Sequence, residues 1–286
     1  MNIRTLRGFR MPADYVEPAA HPESRERGYS ALVGFARRVL KLANIDVTVV
    51  GAEHIPADGG ALIAGNHTGY ADFILMGTGA HLRGGRLIRF MAKQSVFEIP
   101  ILGKIMLGMH HVPVNRKAGH SAVDAAVGHL RDGYLVGIFP EATISRSFEL
   151  AHFKTGAARI AHEAGVPLIP CAIWGSQRIW TKDLPKQFHR VPVIVRYGEP
   201  VALTGDAEND TAELKRRMQL LLDDSRNQYT TQYGPFDGAA WMPQSLGGTA
   251  PTIEEADELY RIERAQREEK KAAKKARKAR LKRGKR

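Results

Sequence analysis

The chain has 286 residues, 43% of them hydrophobic, and a formal net charge of +12. This length and composition suit one globular α/β domain with extensions, or at most two domains. The single cysteine, Cys171, excludes an internal disulfide framework and fits a reducing cytoplasm.

The apolar segments are too short or too polar to cross a membrane or to direct secretion. The basic N-terminus has no apolar core behind it, and residues 59–82, although nearly free of charge, contain six glycines. We therefore expect neither a signal peptide nor a transmembrane helix, so any action on lipids would take place at the membrane surface.

Residues 1–45 are predicted to form an arm followed by an amphipathic helix. Residues 1–28 are polar and contain three prolines, which indicates an extended arm. The helix is predicted over Tyr29–Ala43; its apolar face comprises Leu32, Val33, Phe35, Ala36, Val39, Leu40 and Ala43, and the opposite residues are Arg37, Arg38 and Lys41. This pattern fits a helix that lies in a membrane interface and also a helix packed on its own domain.

Apolar runs of strand length then alternate with helical patterns across residues 46–235. The predicted strands are Val47–Val50, Ala61–Ala64, Leu87–Met91, Val112–Val114, Leu135–Phe139, Leu168–Ile173 and Val191–Arg196. The predicted helices are Asp72–Leu82, Ile101–Met109, Ser121–Asp132, Thr155–Ala164 and Thr211–Tyr229. The alternation predicts an α/β domain whose mostly parallel central sheet is covered by helices on both faces.

The C-terminal part is predicted to be a linker over residues 236–251 and a basic helical tail over 252–286. Residues 264–286 hold thirteen Lys and Arg against two Glu, a net of +11, which leaves +1 for the rest of the chain. The tail fits a solvated helix or a segment attracted to anionic lipid headgroups. Nucleic-acid binding is the weaker interpretation, because the basic residues have no aromatic residues among them.

A histidine and an aspartate stand five positions apart directly after the predicted strand Ala61–Ala64. In Asn66-His67-Thr68-Gly69-Tyr70-Ala71-Asp72, the histidine lies at a strand-to-helix turn, where α/β proteins tend to place their chemistry. An imidazole held by a carboxylate can act as a general base toward a substrate hydroxyl. The alternative is a structural turn whose histidine caps the following helix.

Six further short motifs follow this one in order. They are Lys93, Phe97, Pro100 and Gly103; Val112-Pro113-Val114-Asn115-Arg116; Phe139-Pro140-Glu141-Ala142-Thr143-Ile144-Ser145; Phe153-Lys154-Thr155-Gly156; Val166-Pro167-Leu168-Ile169-Pro170; and Gly198-Glu199-Pro200. In this order the chain resembles the glycerophosphate acyltransferase family, whose best-known members are 1-acylglycerol-3-phosphate acyltransferases. Two positions of the third motif depart from the family, which has glycine in place of Ala142 and arginine in place of Ile144.

The resemblance implies the fold of these acyltransferases and a role for each matching residue. His67 and Asp72 would be the catalytic pair, and backbone amides in the turn after His67 are candidate donors to the oxyanion. The implied substrate-binding residues are Asn66, Lys93, Arg116, Glu141, Thr143, Arg146 and Lys154. Arg116 and Lys93 would hold an acceptor phosphate, Glu141 the glycerol hydroxyls, and Arg146 could replace the arginine absent at position 144.

The sequence therefore predicts an enzyme of phospholipid biosynthesis, bound peripherally to the cytoplasmic face of the cell membrane. It would transfer an acyl group from acyl-CoA or acyl carrier protein to a hydroxyl of 1-acylglycerol 3-phosphate, giving phosphatidic acid. No cofactor, metal or nucleic acid is expected. Another lysophospholipid or glycerol 3-phosphate is the alternative acceptor, and a non-catalytic protein that binds membranes through its basic tail is the alternative class.

Overall fold

The computed structural model describes residues 2–114 and 119–283. The chain divides into two compact units, one comprising residues 1–145 and 150–235 and the other residues 146–149 and 236–286. This division differs from the predicted boundaries: residues 1–45 belong to the first unit, and residues 236–251 fold with the C-terminal helix. Whether the predicted segments act as separate functional domains stays a prediction.

The secondary structure of the described residues follows the predicted alternation, with shifts of a few residues at most ends. The strands are β1 (Ile3–Leu6), β2 (Phe9–Pro12), β3 (Asp46–Val50), β4 (Ala61–Gly65), β5 (Ile88–Lys93), β6 (Val112–Val114), β7 (Leu135–Ile138), β8 (Leu168–Trp174) and β9 (Pro192–Tyr197). The helices are α1 (Arg27–Leu42), α2 (Asp72–Leu82), α3 (Gln94–Phe97), α4 (Pro100–Gly108), α5 (Gly119–Arg131), α6 (Gly156–Ala164), α7 (Ser176–Ile179), α8 (Ala207–Tyr233) and α9 (Ile253–Arg283). Short 3₁₀ turns cover Pro22–Arg25, Ala52–His54 and Gln244–Leu246.

The strands of the first unit form one sheet in the order β1-β2-β3-β9-β8-β4-β7-β5-β6. Pairing is antiparallel between β1 and β2 and between β8 and β9, and parallel at the other junctions. The predicted mostly parallel sheet is therefore confirmed.

Helices cover both faces of the sheet, and strand β4 shows why. Ile63 belongs to the core cluster that contains Leu75 and Met76 of α2. Leu62 and Ala64 are equally buried, and because successive side chains of a strand point to opposite faces, they lie on the other side. Helices α5, α6 and α8 pack on the strands there and on one another.

The strand directions bring several loops to one edge of the sheet. Strands β4, β7, β8 and β5 run parallel, so their carboxyl ends share an edge. Strand β9 runs against β8, and β3 runs with β9, so the amino ends of β9 and β3 lie at that same edge. We call it the catalytic edge, because the segments that follow β4, β7 and β8 carry the candidate site.

The N-terminal arm contains a β-hairpin that extends the sheet, which the sequence analysis did not predict. Arg7 and Gly8 turn the chain with φ values of 52° and 88°, so β1 pairs with β2. Phe9 and Met11 are buried in the core, while the residue between them is only partly buried. The alternation of apolar and polar residues in β2 could have predicted this strand, but it is short and the surrounding prolines and charges obscured it.

Cys171 lies fully buried in the middle of β8, as the sequence predicted. Burial raises the pKa of its thiol far above the ordinary value. Among the described residues, helices that could span a membrane by their length and apolarity are absent.

The second unit consists of helix α9, residues 146–149 and the segment predicted as a linker. Within that segment Gly238 N donates to Gly247 O over 2.8 Å, and the rings of Phe236 and Trp241 pack edge to face. The predicted linker is therefore folded, because local hydrogen bonds and an aromatic pair offset the freedom that its glycines would give.

Candidate active site

His67 and Asp72 meet at the catalytic edge, in the turn between β4 and α2. His67 Nδ1 lies 2.9 Å from Asp72 Oδ2, the imidazole is 21% exposed and the carboxylate is fully buried. The short turn brings them together because Asp72 is the first residue of α2 and its side chain points back toward the end of β4.

The hydrogen bonds of Asp72 select the tautomer of His67. Asp72 Oδ2 also accepts hydrogen bonds of 2.7 Å from Thr68 N and from Gly69 N. Backbone amides can only donate, so they favour an ionised carboxylate, which can only accept. His67 therefore carries its proton on Nδ1, and Nε2 holds the lone pair that a general base requires.

The backbone amides of the turn are already bonded within the protein. His67 N donates to Glu141 Oε1 over 2.8 Å, and Tyr70 N donates to Trp180 O over 2.8 Å. Thr68 N and Gly69 N are held by Asp72. Thr68 N, Gly69 N and Tyr70 N each point at an internal acceptor, so these three do not support the expected oxyanion role, which stays a prediction for the turn.

Glu141 supports the turn from the loop after β7. Its second carboxylate oxygen accepts from Ala151 N over 3.0 Å, so the side chain joins the backbone of two segments. Burial raises the pKa of Glu141 to about 7, although the two amide donors oppose the shift. Both oxygens are thus bonded inside the protein, and the contact of Glu141 with glycerol hydroxyls stays a prediction.

The ring of Phe139 and the segment after β8 complete the support of the turn, and the sequence analysis missed both. Phe139 stacks on His67 with ring centroids 4.3 Å apart and an angle of 19° between the planes. Thr181 Oγ1 donates to Thr68 O over 2.6 Å, and Ser176 Oγ lies 3.1 Å from Thr68 Oγ1. The signal for Phe139 was its place in the third motif, whereas Ser176 and Thr181 were marked only by following a strand that ends at the same edge.

Asn66 joins the end of β4 to β8. Its Nδ2 donates to Ile173 O over 3.0 Å, and its Oδ1 accepts from Ile173 N over 2.7 Å. The side chain is buried and both of its polar atoms are bonded to β8, and its predicted contact with substrate stays a prediction.

The predicted cations lie in different places. Lys93 ends β5 at the catalytic edge and is exposed, and Lys154 is exposed on a loop whose backbone bonds Pro140. Arg116 lies outside the described residues.

The two positions at which the third motif differs from its family, Ala142 and Ile144, have different environments. Ala142 has a φ of 56°, in the left-handed region where glycine is preferred, and Ile144 is buried. Thr143 is partly exposed. Arg146, the predicted replacement for the missing arginine, belongs to the second unit, where its guanidinium lies 3.0 Å from Glu263 and over the ring of Tyr260. That ion pair satisfies the charge that was expected to meet a phosphate.

His111, the second of two adjacent histidines, serves packing. His111 is buried, and its Nδ1 accepts a hydrogen bond of 2.9 Å from Phe90 N. Burial lowers the pKa of His111 to about 4, which keeps the ring neutral at physiological pH.

Part of the chain is similar to a known protein family. The family model described as Acyltransferase matches residues 46–174. Over this stretch the chain is similar to the acyltransferase family. The match begins at β3 and ends with β8, so it encloses the turn that holds His67 and Asp72.

Several relatives share part of this domain. A 1-acyl-sn-glycerol-3-phosphate acyltransferase of Bacillus subtilis is 36% identical over 130 residues, which are 45% of this chain and 63% of the relative. A protein of the same name from Borreliella burgdorferi is 31% identical over 148 residues, which are 51% of this chain and 58% of the relative. The chain thus spans about three fifths of the length of these relatives.

A solved structure shares the fold over a larger part of the chain. It is the 1-acyl-sn-glycerophosphate (LPA) acyltransferase PlsC from Thermotoga maritima, which is 24% identical and matches with a TM-score of 0.57. The match covers 72% of this chain and 81% of that protein. The predicted acyltransferase fold is therefore confirmed.

Proposed function

We propose that the protein transfers an acyl group from a thioester to a free hydroxyl of 1-acylglycerol 3-phosphate, giving phosphatidic acid. The observation that carries this proposal is the 2.9 Å contact between His67 Nδ1 and a buried, amide-bonded Asp72. This pair lies inside the stretch shared with the acyltransferases. We also propose that the protein works at a membrane surface, because its acceptor is a lipid.

The chemistry follows from the lone pair of His67 Nε2. As the acceptor oxygen attacks the thioester carbonyl, Nε2 takes the hydroxyl proton and Asp72 stabilises the imidazolium that forms. The tetrahedral intermediate then collapses, the carbon–sulfur bond breaks, and the imidazolium returns the proton to the leaving thiolate. The products are an ester and a free thiol, and the imidazole is neutral again. No acyl-enzyme is required, because the nucleophile belongs to the acceptor.

The support of the turn sets the position of this base. Four internal hydrogen bonds and the stacked ring of Phe139 hold the turn before substrate arrives. A base held in place lowers the entropy lost in reaching the transition state. We propose that Glu141, Asn66 and Phe139 act on the reaction through His67.

The acceptor phosphate requires fixed cations, and we propose Lys93 and Arg116 for this role. Lys93 ends β5, which is separated from β4 by β7 alone, so two strand spacings of about 4.8 Å put it about 10 Å from the His67 strand. A second candidate acceptor is another lysophospholipid or glycerol 3-phosphate. It is supported by the third motif, where buried Ile144 stands at the family's arginine position and Arg146, paired with Glu263, does not replace that arginine.

The decisive experiment compares purified wild type, His67→Ala and Asp72→Asn in the release of free thiol from acyl-CoA. Assays with lysophosphatidic acid, another lysophospholipid and glycerol 3-phosphate identify the acceptor. General-base assistance typically contributes 10²–10⁴-fold, so both variants should lose activity on about that scale while circular dichroism stays unchanged. His189→Ala, at an exposed histidine, is the matched control and should keep its activity.

A folded His67→Ala protein with near wild-type rates would disprove the mechanism. If no acceptor elicits thiol release from wild type, with either acyl-CoA or acyl carrier protein as donor, the non-catalytic alternative is favoured.

A further inference from the structure

A basic cleft of about 930 Å³ lies apart from the candidate site, between the β1–β2 hairpin, helix α1 and the amino ends of β3 and β9. The cations that line it are Arg7, Arg10, Arg37, Arg38, Lys41 and Arg190. Asp46 is the acidic residue of the lining. This excess of positive charge favours an anionic ligand.

Half of these cations are bonded inside the protein. Arg10 Nη1 donates to Asp46 over 2.7 Å, which neutralises the one carboxylate of the cleft. Arg7 pairs with Glu17 over 2.5 Å, and Arg37 donates to the carbonyl oxygen of Arg7 over 2.6 Å. Burial lowers the pKa of Arg37, and the neighbouring positive charges of Arg7 and Arg38 lower it further.

The other three cations, Arg38, Lys41 and Arg190, are exposed. Within the described part of the chain they make no ion pair. Arg190 is held at the cleft by its backbone, because Arg190 N donates to Ala43 O over 3.0 Å just after the end of α1. These three side chains therefore supply the uncompensated charge.

Helix α1 places an exposed apolar stripe next to these cations. Its outward apolar residues are Leu32, Phe35, Val39 and Leu42, with exposed fractions of 40%, 61%, 45% and 83%. Their spacing of three and four residues puts them on one side of the helix, and Arg38 precedes Val39 at the border of this stripe. None of the residues of α1 is fully buried. An apolar stripe bordered by lysine and arginine is typical of a helix that lies in a membrane interface.

The cleft and His67 share the catalytic edge. Strand β3 is separated from β4 by β9 and β8, and three strand spacings of about 4.8 Å amount to about 15 Å. A flat lipid surface can therefore meet the cleft and the candidate site at the same time.

We propose that this cleft binds the phosphate of an anionic phospholipid in the bilayer while the apolar stripe of α1 enters the acyl region. Guanidinium groups suit this ligand because they bind phosphate oxygens in pairs, and Lys41 adds a point charge. The choice of a lipid as the source of the phosphate rests on the proposed function. Because the ligand stays bound next to the site, it would hold the catalytic edge against the membrane that contains the acceptor.

The test uses the full-length protein and a matched pair of triple variants. Arg38→Gln/Lys41→Gln/Arg190→Gln removes the three uncompensated charges of the cleft. Arg25→Gln/Arg27→Gln/Arg159→Gln removes the same charge from exposed positions outside it. Binding is measured by co-sedimentation with vesicles of phosphatidylcholine alone and of phosphatidylcholine and phosphatidylglycerol in equal parts. The basic tail is present in every protein, so its contribution cancels.

We expect the cleft variant to bind the anionic vesicles about 100-fold more weakly than wild type, since each basic residue at such a surface contributes about 1 kcal/mol. The control variant should bind much more tightly than the cleft variant. Equal losses in the two variants would show that only net charge matters and would overturn the proposal, as would unchanged binding of the cleft variant. Inorganic phosphate and sodium chloride of equal ionic strength are also compared as competitors for wild type bound to the vesicles. If phosphate alone releases the protein, and it binds the free protein with the same affinity as in this competition, the ligand is free phosphate and the lipid assignment is wrong.

A second measurement locates α1. Leu42→Trp places a fluorophore at the most exposed position of the stripe. Its emission should shift to the blue on anionic vesicles if the stripe enters the acyl region, and no shift would contradict insertion. Thiol release by wild type in neutral detergent micelles tests the proposed function independently, so a failure there can be told apart from a failure of the lipid site.

Discussion

Ala142 stands where the acyltransferase family has glycine, and its φ of 56° has a cost that glycine would avoid. An L-residue in this region loses roughly 1–2 kcal/mol, of which the greater freedom of glycine in the unfolded chain cancels a part. We expect Ala142→Gly to raise the free energy of unfolding by about 1 kcal/mol, measured by urea denaturation. Ala125→Gly, at an exposed position inside α5, is the control and should lower it by up to about 1 kcal/mol. A destabilised Ala142→Gly protein would show that the backbone strain is not relieved.

Glu141 should make stability depend on pH. An ordinary carboxyl with a pKa of 4.5 loses its proton early, whereas folded Glu141 keeps it until about pH 7. A raised folded pKa contributes stability that is complete below pH 4.5 and is lost as the pH rises toward 7. The advantage of wild type over Glu141→Gln in free energy of unfolding should therefore shrink across this range, by up to roughly 3 kcal/mol.

Denaturation of both proteins at several pH values measures this difference. The partly buried His81 and the buried His111, whose pKa burial lowers to about 4, titrate in both proteins and cancel in the comparison. A difference that stays constant from pH 4.5 to 7 would mean that the buried carboxyl does not retain its proton.

The contacts of single residues could be predicted from the sequence only where both partners lie close together along the chain. His67 and Asp72 lie on one turn, so their spacing was enough to predict that they meet. Glu141 was predicted as a substrate-binding residue, but its bond to His67 N joins positions 74 residues apart and has no local signal. The same holds for Asn66, whose partner Ile173 lies on another strand.

At the scale of elements, hydrophobic periodicity predicted most strands and helices of the central domain. The elements that were not predicted are short. Helices α3 and α7 have four residues each, which is too few to show a repeat. The hairpin β1–β2 was obscured because its strands also have four residues and carry charges. The hydrophobic pattern does not reveal the direction of a strand, so the antiparallel pairing of β9 with β8 was not predicted.

The length of helix α9 permits a test of the basic tail. Truncation after Glu269 removes eleven lysines and arginines but keeps Tyr260 and Glu263, which hold Arg146 within the second unit. If the tail attracts anionic lipid, binding to anionic vesicles at low salt should fall by about 100-fold or more, and binding to neutral vesicles should not change. Salt should reproduce the effect, because exposed charges are screened within about 10 Å at 0.1 M.

Circular dichroism of the truncated protein provides the control for folding. Equal binding of both lengths to anionic vesicles at low salt would leave the solvated helix as the interpretation of the tail.

At the scale of the whole molecule, charge and apolar surface are distributed unevenly. Residues 264–286 carry a net charge of +11 out of the +12 of the chain, and six cations gather separately in the cleft beside α1, within the first unit. Composition revealed the first feature, because the charges are consecutive. It did not reveal the second, because the cations come from three separate segments and only the sheet order brings them together.

The reactivity of the single thiol, in the middle of β8, can be used to measure how often the central sheet opens. Cys171 is fully buried in the central sheet, and the reactive species toward a disulfide reagent is the thiolate. Labelling should therefore proceed at the rate at which the sheet opens, hours or longer in buffer and seconds in concentrated denaturant. Every variant described above can be ranked by this rate, and a variant that labels rapidly in buffer has lost its core. The same reagent can follow the thiol released from acyl-CoA, since the folded enzyme contributes almost no background.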